Sequence, residues 1–171
     1  LNTMISLGID IALVVTKEDA RQGRKMKTGE SPVKTRAREV GIDILQPSNL
    51  KDEETIKIIR EINPDIIVVT AYGKVLPKEI LDIPKYGCIN VHASLLPKYR
   101  GASPINSCIL EGDSITGITT MYMNEKLDEG DIILQDELII EPDYDSQTLT
   151  DKLAKLSEKT LENTLKMIMM N

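Results

Sequence analysis

An amide and an imidazole stand two residues apart in the apolar run Ile89-Asn90-Val91-His92-Ala93. If that run is a strand, residues i and i+2 share a face, and the two polar groups emerge side by side. Ser94-Leu95-Leu96-Pro97 then breaks the run, so the pair sits near the strand's end, where open α/β sheets bind their ligands. His92 is the single histidine of the chain, so any imidazole chemistry has to occur there. Read alone, it is first a strand-end histidine satisfied by hydrogen bonds, since an isolated histidine is weak evidence for acid–base work. Asn90 argues for more, because an amide among apolar strand residues must find a partner or cost free energy. Asp128, in Leu127-Asp128-Glu129-Gly130-Asp131, reads singly as turn chemistry.

Other templates are absent. The sequence has no G-x-G-x-x-G, Walker A loop, C-x-x-C or H-E-x-x-H, and no serine in a nucleophile-elbow context. One histidine and two separated cysteines do not make a metal site, so none is expected.

The elements that must carry these residues follow from periodicity. Ile9 to Val15 and Asp65 to Thr70 are β-branched apolar runs that read as strands covered on both faces. Ile42 to Leu45 reads as a short strand, and Gly117 to Met123 and Asp131 to Ile140 as two more, joined by Asn124 to Gly130. Leu1 to Ser6 reads as the last turn of a helix ended by Gly8. Further helices are expected at Ser31 to Val40 with Pro32 in the first turn, and at Asp52 to Asn63. Shorter ones fit Lys78 to Leu81 and Ser103 to Glu111. Ser146 to Met170 reads as a long amphipathic helix with Leu149, Leu153, Leu156, Leu161, Leu165 and Ile168 inward. Thr16 to Lys34 shows no period and reads as a long loop. Strands alternating with helices imply a largely parallel α/β sheet whose last two strands admit an antiparallel extension.

Composition bounds the rest. With 171 residues, 41% hydrophobic, no Trp, no Phe and 5 Tyr, the chain reads as one domain with an aliphatic core. A net charge of −6 argues against a surface that is basic all over. Locally, Lys17, Arg21, Arg24, Lys25, Lys27 and Lys34 outnumber Glu18, Asp19 and Glu30. That loop reads either as a solvated face or as a phosphate-contacting segment. Cys88 and Cys108 lie in apolar surroundings, which favours a reduced, cytoplasmic setting. No apolar run approaches the roughly 18 residues of a membrane span, and no signal peptide is visible.

The segment INVHASLLPKYRGASPI, followed by LDEGDI, resembles the folate-dependent formyltransferases, and the likeness runs from about Leu1 to Ile168. Within that family, Arg100-Gly101-Ala102-Ser103-Pro104-Ile105, the basic loop and Ser31-Pro32-Val33-Lys34 resemble the tRNA formylating branch. The resemblance implies a doubly wound, mainly parallel Rossmann-like sheet, here the catalytic domain over residues 1–171. The family's first strand would lie before Leu1, and the C-terminal barrel domain of the tRNA formylating branch would lie outside this sequence. It also implies a catalytic trio of Asn90, His92 and Asp128. The tetrahydrofolate-binding segment falls on Ser94, Leu95, Leu96 and Pro97, with Tyr72, Gly73, Lys74, Val75 and Leu76 as a wall of the pterin pocket. Arg21, Arg24, Lys25 and Lys27 correspond to the segment that contacts tRNA. The implied cosubstrate is 10-formyltetrahydrofolate and the implied acceptor the α-amino group of initiator methionyl-tRNA, with no metal, membrane or obligate protein partner. Transfer to glycinamide ribonucleotide or an amino sugar shares the same trio, and a non-catalytic folate-binding module on the same scaffold is the alternative outside catalysis.

Overall fold

The computed structural model describes residues 1–22 and 27–170, which divide into two units, Leu1–Pro64 and Asp65–Asn171. In the first unit, α1 (Asn2–Ser6) ends before Gly8, whose φ of 68° suits a residue without Cβ. Strands β1 (Val14–Val15) and β4 (Ile44–Leu45) pair in parallel. Between them run β2 (Ala20–Gln22), β3 (Lys27–Gly29) and helix α2 (Pro32–Glu39). Ser31 caps α2 by accepting from the Lys34 amide at 3.2 Å, with Pro32 in the first turn. Helix α3 (Glu53–Ile62) starts at Asp52, which accepts from the Thr55 amide, and stops at left-handed Asn63; Thr55 and Ile59 are its buried side chains.

Two expectations for this unit are corrected. The strand expected over Ile9 to Val15 is confined to Val14–Val15 and only half covered. Among the described strands β1 has one partner, so its apolar run is not enclosed. The loop expected over Thr16 to Lys34 contains an antiparallel ribbon, with Ala20 opposite Gly29 and Gln22 opposite Lys27. A polar ribbon held by backbone bonds leaves no hydrophobic period to read.

The second unit holds a four-stranded sheet in the order β5 (Ile67–Val69), β6 (Cys88–His92), β7 (Ile115–Tyr122), β8 (Ile132–Ile139). β5 and β6 are parallel, linked through α4 (Lys78–Leu81); β6–β7 and β7–β8 are antiparallel. The fold is α/β and Rossmann-like, with the antiparallel extension on its last two strands. β5 is expected to be covered on both faces; instead all three of its residues are half-buried, and among the described strands it pairs only with β6.

Helices α5 (Pro104–Leu110) and α6 (Ser146–Met169) close one face of this sheet. Cys108, Ile118, Leu149 and Leu153 form a buried cluster there, with Val91 and Ala93 packed against it. Because strand side chains alternate, Asn90 and His92 face the other way. A polar seam joins α6 to the sheet: Thr120 and Thr164 hydroxyls meet at 2.7 Å, and Thr160 donates to Asp136 at 2.8 Å. Cys88 and Cys108 are both buried free thiols, and burial pushes the Cys88 thiol up to about 12. No helix among the described residues is long and apolar enough to cross a membrane.

Candidate active site

Asn90 and His92 project from the end of β6, opposite Met121 and Thr119 of β7. The chain returns to them through the loop after β7. There Gly130 lies so close to the strand that a Cβ would overlap the Tyr122 carbonyl oxygen. That contact folds residues 124–130 back and brings Asp128 to β6. The Asp128 backbone is left-handed (φ 50°), a conformation that aspartate tolerates and most side chains do not.

Both carboxylate oxygens of Asp128 are engaged. The Asn90 amide donates from Nδ2 to Oδ1 at 3.1 Å, and the Gly101 backbone N–H donates to Oδ2 at 2.9 Å. His92 Nδ1 lies 3.6 Å from the same Oδ2. His92 and Asp128 are only 7% and 8% exposed, so this contact is largely shielded from water. On its other side, His92 Nε2 is 3.0 Å from the Tyr99 carbonyl oxygen. A carbonyl only accepts, so Nε2 carries hydrogen and donates. Nδ1 is thereby the nitrogen that faces the carboxylate. Asn90 spends one N–H on Asp128; an amide has a second.

The turn after β6 is tightly bonded. Leu96-Pro97 is a cis peptide, and Ser94 Oγ, fully buried, donates to the Lys98 carbonyl at 2.6 Å. Ser94 thus acts on the turn itself through its side chain, while Leu96 is buried, Leu95 half-buried and Pro97 exposed. Tyr99, also left-handed, anchors the far end: its hydroxyl donates to Asp113 at 2.7 Å, which pushes the phenol up to about 12.

The remaining expected residues are more dispersed. Tyr72 to Leu76 follow β5, with Val75 exposed and Leu76 buried. The Tyr72 hydroxyl is buried with no hydrogen-bond partner among the described residues, and burial raises its pKa. Lys78, just beyond this segment, reaches Glu125 at 3.9 Å, linking it to the Asp128 loop. Exposed Leu127 borders Asp128 and lies near Gly101. The trio thus gathers an amide donor, an imidazole and a carboxylate at one strand end, with exposed Leu127 at its border. Among the described residues no group of three or more His, Cys, Asp or Glu is placed to hold a metal ion. Arg21 and Lys27 lie on the two strands of the ribbon; Arg24 and Lys25 fall outside the described residues. Lys34, counted with the basic loop, is bonded to Asp19 at 2.6 Å.

Sequence reading missed Thr119, Gln135 and the backbone partners Tyr99 and Gly101. Thr119 had the same signal as Asn90, a polar group in an apolar strand that must find partners. Backbone partners leave no signal in residue type.

The fold is a Rossmann-like α/β sheet with Asn90, His92 and Asp128 brought together at the end of β6. Residues 3–165 match the Formyl transferase family: the chain belongs to it. It is 53% identical over 167 residues to the methionyl-tRNA formyltransferase of Caldanaerobacter subterraneus, covering 97% of this chain and 54% of that protein. To the methionyl-tRNA formyltransferase of Geobacter metallireducens it is 48% identical over 165 residues, 96% of this chain and 53% of that protein. The chain therefore spans about half the length of the curated relatives it matches. In fold it is similar to the crystal structure of phosphoribosylglycinamide formyltransferase from Bacillus halodurans, with a TM-score of 0.80 and 23% identity over 95% of this chain and 84% of that one.

Proposed function

We propose that this chain is the catalytic part of an enzyme that transfers a formyl group from 10-formyltetrahydrofolate to the α-amino group of methionyl-tRNA. The observation that carries the chemistry is the Asp128 carboxylate, gripped by Asn90 and Gly101 with His92 Nδ1 3.6 Å away. The choice of acceptor is supported by relatives about half identical that are named methionyl-tRNA formyltransferases.

Bound folate would supply the one-carbon unit as a reactive formyl; the protein supplies position and electrostatics. Ser94 to Pro97 and Tyr72 to Leu76 would hold it. An α-amino group with an ordinary pKa of about 7.7–8.0 already has a neutral, nucleophilic fraction near neutral pH. Activation of the carbonyl is then worth more than a strong base. The second N–H of Asn90 is the donor for negative charge developing on the formyl oxygen, and loss of one such donor typically costs about a hundred- to a thousandfold. A proton on His92 Nδ1 would lie between that site and Asp128, and Asp128 takes the proton released by the attacking amine, directly or through water. Arg21, Arg24, Lys25 and Lys27 would contact phosphates of the tRNA. A reaction on aminoacylated tRNA belongs in the cytoplasm.

The test is a formyl-transfer assay with 10-formyltetrahydrofolate and methionyl-tRNA. Formylmethionyl-tRNA is the expected product. Transfer only to glycinamide ribonucleotide or an amino sugar would overturn the acceptor, and folate binding without turnover with any amine would overturn catalysis.

A further inference from the structure

Gln135 lies on β8, exposed, two strands away from His92, yet bonds connect the two. His92 is the register partner of Thr119, and Thr119 of Gln135, so the three form one row across β6, β7 and β8. Thr119 Oγ1 is fully buried and lies 2.6 Å from the Ser94 carbonyl oxygen, 3.1 Å from the Leu96 backbone nitrogen and 2.8 Å from Gln135 Nε2. A hydroxyl has one hydrogen and two lone pairs. The hydrogen goes to the Ser94 carbonyl, and the lone pairs take the Leu96 and Gln135 N–H groups. Every bond Thr119 can make is made. The second Nε2 hydrogen of Gln135 goes to the Leu96 carbonyl at 3.0 Å. Flipping the amide would set its oxygen against that carbonyl, so its orientation is fixed.

Both polar groups of Leu96 and the carbonyl of Ser94 are thus tied to this row. Ser94 in turn holds Lys98, and the next residue, Tyr99, offers the carbonyl that receives His92 Nε2–H. We propose that Gln135 is a positioning residue: by fastening the Ser94–Leu96 turn to Thr119, it holds the Tyr99 carbonyl where it fixes the His92 tautomer with Nδ1 toward Asp128. Gln135 touches none of the three trio side chains. The inference rests on the formyl-transfer reading for its effect on turnover, but not for its effect on the imidazole.

Because His92 is the only histidine, protein labelled with 15N-histidine gives one imidazole spectrum. In the unsubstituted protein that spectrum should show hydrogen on Nε2 throughout. Gln135→Leu removes both donors and should yield a mixture of tautomers and turnover lowered about tenfold, equivalent to roughly 1.4 kcal/mol. Gln135→Glu puts acceptors against the Leu96 carbonyl and should be worse than Leu. Gln135→Lys restores donors and should return the spectrum toward that of the unsubstituted protein. Gln135 is exposed, so these variants are expected to fold, and melting curves check that. The original tautomer retained in folded Gln135→Leu and Gln135→Glu would overturn the proposal. A tautomer change in a protein that formylates no acceptor would uphold it and overturn the formyl-transfer reading instead.

Discussion

Asp128 has to satisfy backbone and function at once. Its left-handed φ of 50° would suit glycine or asparagine, yet only a carboxylate can both accept from Asn90 and Gly101 and face His92 with negative charge. Asp128→Asn keeps a residue that tolerates this conformation and an oxygen for Gly101, while removing the charge. Turnover should fall by about 10²–10⁴, the span of acid–base contributions, with melting temperature little changed; single-turnover formylation measures it. His92→Ala should fall in the same range and leave folate binding, read by titration, largely intact. Near-normal turnover in either variant would remove that residue from the mechanism. The pair Tyr99–Asp113 makes a separate statement about pH. Tyr99, raised from 10.0 to about 12, contributes stability that is full below about pH 10 and lost as pH rises through about 12. Asp113, lowered from 3.8 chiefly by the Tyr99 hydrogen bond and then by Lys98, contributes stability present above that value and lost as pH falls through its folded pKa. Comparing denaturation of the unsubstituted protein with Tyr99→Phe should give a constant difference from about pH 5 to 9 that shrinks toward both extremes. A difference that changes inside that window would show that another titrating group carries the effect. At this scale the spacing of Asn90 and His92 implied their shared face, and the resemblance alone implied that Asp128 would join them, as it does in space. Gly101 and Tyr99 were not legible as partners, because they act through backbone atoms.

At the scale of elements, what could be read depended on whether packing was apolar. The inward leucines of α6 are buried as its period predicts, with Leu149, Leu153, Leu161 and Leu165 all covered and Leu156 half so. Thr160 and Thr164 are equally buried, but a hydrophobic period carries no mark of side chains buried through hydrogen bonds. Strand lengths on β1 and β5 were overstated for a related reason: a β-branched run signals strand propensity but not whether a neighbour will enclose it. Leu153, 1% exposed at the centre of the cluster with Cys108, Ile118 and Leu149, offers a direct measurement. Leu153→Ala should cost about 2–5 kcal/mol in chemical denaturation. Gly117→Ala should also destabilise, by about 1–3 kcal/mol, because its Cβ would overlap the Asp136 carbonyl and crowd Leu95 in the turn after β6. The second substitution should lower turnover as well and the first should not, once both are assayed well below their melting temperatures. Equal effects on turnover would mean that the turn is insensitive to pressure from β7.

At the scale of the whole molecule, the charge of −6 opposes any approach to a polyanion unless basic groups are gathered locally. Sequence showed that gathering between Lys17 and Lys34. The structure takes Lys34 out of it through Asp19 and Glu30. Arg24 therefore becomes the more informative substitution. Arg24→Ala should weaken use of methionyl-tRNA and reduce the salt slope of binding by about one, without changing the KM for folate. An unchanged slope would return the segment to an ordinary solvated face.

The buried thiols described with the fold have a consequence for life under oxidants. Cys88 is held up at about 12 and Cys108 is raised by burial too, so neither presents the thiolate that peroxide attacks. The three proposed catalytic residues contain no sulfur at all. The soft targets are thioethers instead, Met169 and Met170, the most exposed methionines among the described residues, at the end of α6. Mild peroxide should therefore add oxygen there first, seen by peptide mass, while formylation continues. Damage would accumulate on the last turn of α6 as a record of exposure, with the proposed formyl transfer still running.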